Sequence, residues 1–146
     1  MVENMFYGQK DLAIDDKSRL VLPSIFKDEF TTSICYATLG LDKCIQLYPE
    51  ETYKEIAKKY MSLNDFDPKA RKVKRTFLSN TFTIQIDSHN RILLPKTLAN
   101  KCMINKKVIA VGMYDHIEIW DYDTFLQNEE EAEASFSEDA YSLNLQ

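Results

Sequence analysis

Two aspartates, a lysine, a serine and an arginine fill the first five places of DDKSRLVLP, residues 15–23, and an apolar run ending in proline follows. The same order returns 72 residues later in DSHNRILLP, residues 87–95. Asp15 and Asp87 stand where a hairpin turn needs a side-chain acceptor for its own backbone N–H groups. Arg19 and Arg91, four residues on, can reach back to those carboxylates. An exposed ion pair adds little stability, so stability alone gives little reason to repeat the arginine. A guanidinium fork on a β-ribbon can instead make bidentate contacts to guanine in the major groove, while lysine holds phosphate. On that reading Lys17, Arg19, His89, Asn90 and Arg91 contact DNA, and Asp15 and Asp87 orient the arginines. The competing reading makes Asp-x-x-x-Arg structural glue for the turn. The residues by themselves leave both open.

The turns belong to a longer repeat. An ungapped match at a spacing of 72 runs from Phe6–Tyr53 to Leu78–Phe125, with eight identical pairs that include Ile14/Ile86, Leu22/Leu94, Pro23/Pro95, Gly40/Gly112 and Ile45/Ile117. Two copies of one supersecondary unit follow from this. In TFTIQID, Phe82, Ile84 and Ile86 alternate with polar residues, as in a half-buried strand. After the polar turn comes an apolar strand, then a short helix opened by Pro23 or Pro95. Two more strands close each copy, CYATLGLDKCIQLY and KVIAVGMYDHIEIW.

Between the copies, PEETYKEIAKKYMSL places Tyr53, Ile56, Ala57, Tyr60 and Leu63 on one helical face. DPKARKVKRTFL begins with Asp67 as a cap and Pro68 in the first turn, and opposes Ala70, Val73 and Phe77 with five basic residues. Beyond Phe125 the pattern dissolves, which predicts a frayed helix end and a mobile acidic tail.

With 146 residues, the chain fits one ordinary domain. It carries no apolar run near the roughly 20 residues of a membrane span. Its first residues lack the basic-then-apolar order of a secretory signal. Cys35, Cys44 and Cys102 show no paired or ligand spacing and are expected reduced and buried. His116 is expected to pack within a strand. The net charge of −5 hides a division: residues 1–107 hold all 18 basic residues against 13 acidic ones, a net of +5, and the remainder holds ten acidic residues and no basic one. Local potential governs binding more than the total does. A basic body suits a polyanionic partner.

These segments together resemble the MraZ family of bacterial transcriptional regulators: MFYGQKDLAIDDKSRLVLPSIFKDEF, GLDKCIQLYP, DPKARKVKRTFLSN, IDSHNRILLP and VGMYDHIEIWD. The resemblance runs from Met5 to about Phe125. It implies an α+β, mainly β fold of two swapped-hairpin AbrB-like units, joined as a pseudo-twofold β-barrel module with short helices. The expected organisation is a first repeat with trailing helix over 1–63, a basic connecting helix over 64–77, a second repeat over 78–127, and the acidic tail over 128–146. The resemblance also implies a ring-shaped homo-oligomer on direct repeats in promoter DNA of the division and cell-wall gene cluster. A cytoplasmic, nucleoid-associated location follows. No cofactor, metal, membrane or small-molecule substrate is expected.

Asp15, Arg19, Asp87 and Arg91 match the two family turns, Lys17 a usual lysine of the first turn, and Lys74 and Arg75 a paired basic position that makes them auxiliary candidates. The family commonly has glycine before each arginine, where Ser18 and Asn90 stand here. Serine takes the left-handed conformation less readily than asparagine, so the two turns are expected to differ in geometry. Two rivals come from other classes. An antitoxin could use the acidic tail to hold a toxin, although twin repeats and central helices fit that poorly. A nuclease could use Asp15, Asp16 and Asp87, but the sequence supplies no nucleophile–base set, phosphate loop or zinc pattern.

Overall fold

A computed structural model describes residues 5–145, so the ends of the first repeat and of the tail, residues 1–4 and 146, lie outside the described residues. The first copy contributes β1 (Gln9–Ala13), β2 (Arg19–Val21), α1 (Ser24–Lys27), β3 (Ile34–Leu39), β4 (Ile45–Pro49) and α2 (Glu50–Met61). After α3 (Pro68–Ser79), the second copy repeats the order as β5 (Phe82–Gln85), β6 (Arg91–Leu93), α4 (Lys96–Lys101), β7 (Lys107–Gly112), β8 (Ile117–Asp121) and α5 (Tyr122–Ser142).

The copies exchange strands. One antiparallel sheet runs β1-β7-β8-β4-β3-β5, and β2 pairs only with β6 in a separate ribbon. The first strand of each copy thus lies against the third strand of the other, β1 on β7 and β5 on β3. The fourth strands meet at the centre, with Leu47 opposite Ile117 and Ile45 opposite Ile119. Sequence repetition has become a twofold relation of strand pairings. The sheet stays open, which corrects the expected barrel: its edges are β1 and β5, and a ribbon three rungs long that pairs with itself cannot hydrogen-bond those edges together.

Alternation assigns the two faces of the sheet. Cys35, Ala37, Leu47, Ile84, Val108, Ala110 and Ile119 point inward to one cluster with Leu20 and Ile92 of the ribbon, Phe26 of α1 and Leu98 of α4. The opposite face is covered in two parts. Tyr36 and Tyr48 carry α2 and α3 through Tyr53, Tyr60 and Phe77, whereas Ile109 and Trp120 carry α5 through Phe125. All three cysteines are free and buried, and burial pushes the thiols of Cys35 and Cys102 up to about 12 and about 11. Such thiols stay protonated and inert.

Local expectations hold with small shifts. Asp67 caps α3 by accepting from the Lys69 N–H at 2.9 Å, and Pro68 opens the helix. Pro23 and Pro95 occupy the cap positions of α1 and α4 instead of the first helical turn, with extended backbones. Leu63 lies beyond the end of α2 and is exposed. His116 falls just ahead of β8, where its ring stacks on Tyr48 at 4.7 Å. The largest departure follows Phe125: α5, regular helix over all 21 residues of Tyr122–Ser142, runs through most of the segment expected to fray. Its capping accounts for part of this, since the Asp121 carboxylate accepts from the backbone N–H and the hydroxyl of Thr124. None of the described helices is long and apolar enough to cross a membrane.

Gly40 and Gly112, a matched pair of the repeat, end the two third strands. A Cβ on Gly112 would overlap the Phe6–Tyr7 backbone, while one on Gly40 would press on Cys44 Sγ at 2.7 Å and Cys44 O at 2.9 Å. Gly112→Ala should therefore cost roughly 1–3 kcal/mol as an overpacking substitution against main chain that cannot rotate away. Urea denaturation of the parent and the variant measures it, and unchanged midpoints would show that the close approach is absent in solution.

Candidate nucleic-acid interface

Each Asp-x-x-x-Arg segment folds into the same polar knot. Asp15 Oδ1 accepts from the backbone N–H groups of Lys17 and Arg19, both at 2.9 Å, and Oδ2 accepts from Arg19 Nε at 2.8 Å. In the second copy Asp87 Oδ1 accepts from the N–H groups of His89 at 2.8 Å and Arg91 at 2.9 Å, and Oδ2 from Arg91 Nε at 2.8 Å. The main chain closes the turn through Ser18 N–H to Asp15 O and Asn90 N–H to Asp87 O, each at 3.0 Å. The expected difference between the turns does not appear: Ser18 and Asn90 have φ of 62° and 61°. Cross-copy bonds hold both residues there, because Leu94 N–H donates to Ser18 O at 3.0 Å and Leu22 N–H donates to Asn90 O at 2.8 Å. Tertiary pairing overrides serine's weaker local preference.

The ribbon register puts the two arginines on one surface. Arg19 lies opposite Leu93 and Val21 opposite Arg91, with Leu20 opposite Ile92 between them. Leu20 and Ile92 turn inward and are almost fully buried, each contributing roughly 1.5–3 kcal/mol that fastens the ribbon to the core. The alternate residues must therefore face outward together. Arg19 and Arg91 occupy diagonal corners of that face, with side chains 31% and 30% exposed. Only Nε of each is engaged; among the described residues neither guanidinium makes another hydrogen bond. Two η nitrogens per arginine remain for a ligand.

Val21 and Leu93, 53% and 60% exposed, complete the face. The sequence alone does not single them out, because an unbroken run of apolar residues conceals its own alternation. Lys17, His89 and Asn90 are exposed on the turns, and the Lys17 ammonium makes no ion pair among the described residues. Lys74 and Arg75 lie elsewhere. They belong to α3, on the opposite face of the sheet, and Lys74 Nζ is held by Asp65 Oδ1 at 2.5 Å. No group of three or more His, Cys, Asp or Glu side chains among the described residues could hold a metal ion.

Hydrogen bonding also fixes the charge state of the knot. The Arg91 backbone N–H is the first cause that draws the Asp87 carboxyl down to about 2, with the Arg91 guanidinium and the His89 N–H adding to it. The Arg19 backbone N–H and side chain lower Asp15 in the same way. Both carboxylates stay ionised and hold their arginines throughout the neutral range.

The fold and this face define a class: a duplicated α+β chain whose copies present paired, carboxylate-oriented arginines on a shared β-ribbon. A family model described as "MraZ protein, putative antitoxin-like" matches residues 5–76 and again 77–145. The chain belongs to the MraZ family. It is 34% identical over 140 residues to the transcriptional regulator MraZ of Mycoplasmoides gallisepticum, covering 96% of this chain and 98% of that one. The protein of the same name from Thermomicrobium roseum is 36% identical over 116 residues, 80% of this chain and 81% of its own. The second stretch matched by the family model, 77–145, reaches through α5, beyond the Phe125 limit of the motif resemblance.

A folded-state carboxyl that titrates below its ordinary value of 3.8 contributes stability at neutral pH and loses it as the pH falls through about 2. NMR titration of the side-chain carboxyls should place the Asp87 midpoint near that lower value and the Asp15 midpoint below its ordinary range. In Arg91→Ala the Asp87 midpoint should rise only part of the way, since the backbone donors remain. A full return to 3.8 would assign the effect to the guanidinium alone.

Proposed function

We propose that this chain is a transcriptional regulator that binds specific double-stranded DNA through the outer face of the β2–β6 ribbon. The observation that carries the reading is the repeated knot, which aims two guanidinium forks with free η nitrogens from one exposed surface. Arg19 and Arg91 read guanine edges, where bidentate geometry matches the N7 and O6 acceptors. Lys17 holds phosphate, and His89 and Asn90 supply the weaker polar contacts of the second turn. Val21 and Leu93 add apolar surface suited to a thymine methyl group. Asp15 and Asp87 position the arginines without touching DNA.

The names of the relatives as transcriptional regulators support this reading. The family resemblance extends it to direct repeats in the promoter of the division and cell-wall gene cluster, bound in the cytoplasm and nucleoid by a ring of identical subunits. A ring in register with tandem boxes gains affinity through effective concentration, which one small module lacks.

The antitoxin reading has some support in the family description and in the acidic surface of α5. It is the weaker one, because toxin-wrapping tails are disordered segments and α5 is a regular helix.

Boxes recovered by selection from genomic fragments provide the DNA for a direct test. Arg19→Ala and Arg91→Ala should each weaken binding to a selected box by about 1–3 kcal/mol and relax specificity at one base. Lys17→Ala should weaken cognate and unrelated DNA alike and lower the salt slope by about one. Parent-like binding by both arginine variants would remove the ribbon from the interface.

A further inference from the structure

Helix α5 carries one apolar stripe that begins inside the protein and ends outside it. Phe125 is buried edge-on against Trp120, ring centroids 5.7 Å apart. At helical spacing the same face continues through Ala132 and Phe136 to Leu143 at the C-terminal cap. Phe136 is 64% exposed and Leu143 69%. Among the described residues no second helix packs on this face.

The first copy shows what such a stripe requires. Helix α2 follows β4 as α5 follows β8, and its aromatic face is covered by α3, where Phe77 stacks on Tyr60 at 3.9 Å. The outer side of α3 is strongly basic, with Lys69, Arg71, Lys72 and Arg75 exposed. Where α3 meets the β3–β4 turn there is a largely apolar groove of about 280 Å³, lined by Leu39, Leu41, Tyr60, Lys72, Val73 and Phe77. Leu41 at its rim is 90% exposed.

We propose that α5 of one subunit docks on the α3 groove of a second copy, with Phe136 in the apolar groove and Glu133 beside Lys72. Charge decides between possible occupants. Helix α5 carries Glu129, Glu130, Glu131, Glu133, Glu138 and Asp139, and no basic residue follows Lys107. Two α5 helices packed on each other would juxtapose like charges, whereas α5 on α3 pairs acidic with basic along an apolar seam. The two surfaces differ, so the contact is head-to-tail, and repetition through one rotation closes a ring. The proposal deepens the self-association in the proposed function by naming its surfaces, and it is independent of DNA binding.

The test uses the full chain and measures mass by light scattering at low and at high salt. The parent should be oligomeric at low salt and lose mass as salt screens the charged rim. Phe136→Ser and Leu41→Ser, both at exposed positions, should each fold and run as a 17.0 kDa monomer. Mixed in equal amounts they should form a dimer and nothing larger, because each variant keeps the surface that the other has lost. A monomeric parent overturns the proposal. So does a Leu41→Ser protein that stays assembled, the result for α5 pairing with itself or with a different partner. The monomeric variants should retain Arg19-dependent binding to a single box; losing that binding while masses behave as expected counts against the DNA reading and leaves the docking intact.

Discussion

A carboxylate that binds its own turn is the constraint on which the rest depends. One oxygen of Asp15 or Asp87 takes two backbone N–H groups, and the other takes Nε of the arginine that begins the next strand. Three donors on one side chain leave the turn a single arrangement. They also bind the guanidinium through Nε, which leaves its two η nitrogens open for an end-on bidentate contact. Under the proposed function, structural glue and recognition are therefore the same contact. The aspartate shapes the turn by holding the arginine, and the arginine is pre-oriented because it helps to shape the turn.

That knot matters only because the copies interlock. Each turn's left-handed residue receives a backbone bond from the strand of the other copy, so neither turn is complete without its counterpart. The same exchange places β1 on β7 and β5 on β3 and leaves the two short second strands to pair with each other. Leu20 and Ile92 then anchor the ribbon from beneath, and both arginines emerge on its upper side. Within this arrangement the ribbon has no freedom to present one arginine without the other.

The twofold relation stops at the outer layer. The half carrying α2 is capped by a basic helix, whereas α5 extends alone with a strongly acidic surface. A duplicated unit with identical outer layers would offer only like surfaces for association. Divergence between the copies gives one molecule a basic and an acidic outer surface while the matched turns keep two equivalent arginines, and the proposed head-to-tail contact depends on that difference.

Much of this was readable in the chain, and the readable parts share a physical property: they are local. Turn chemistry at Asp15 and Asp87, alternation in TFTIQID, the Asp67–Pro68 helix start and the duplication at 72 residues are all set by neighbours along the backbone. Tertiary structure alone decided which copy completes which sheet, why Ser18 matches Asn90, that Lys74 is occupied by Asp65, and that Val21 and Leu93 stand in the open. An apolar run does not state which of its residues will be covered, because coverage depends on strands and helices distant in sequence. A basic residue likewise does not state whether an acidic partner will fold against it. Spacing along the chain determined the knots; long-range pairing decided the surface they share.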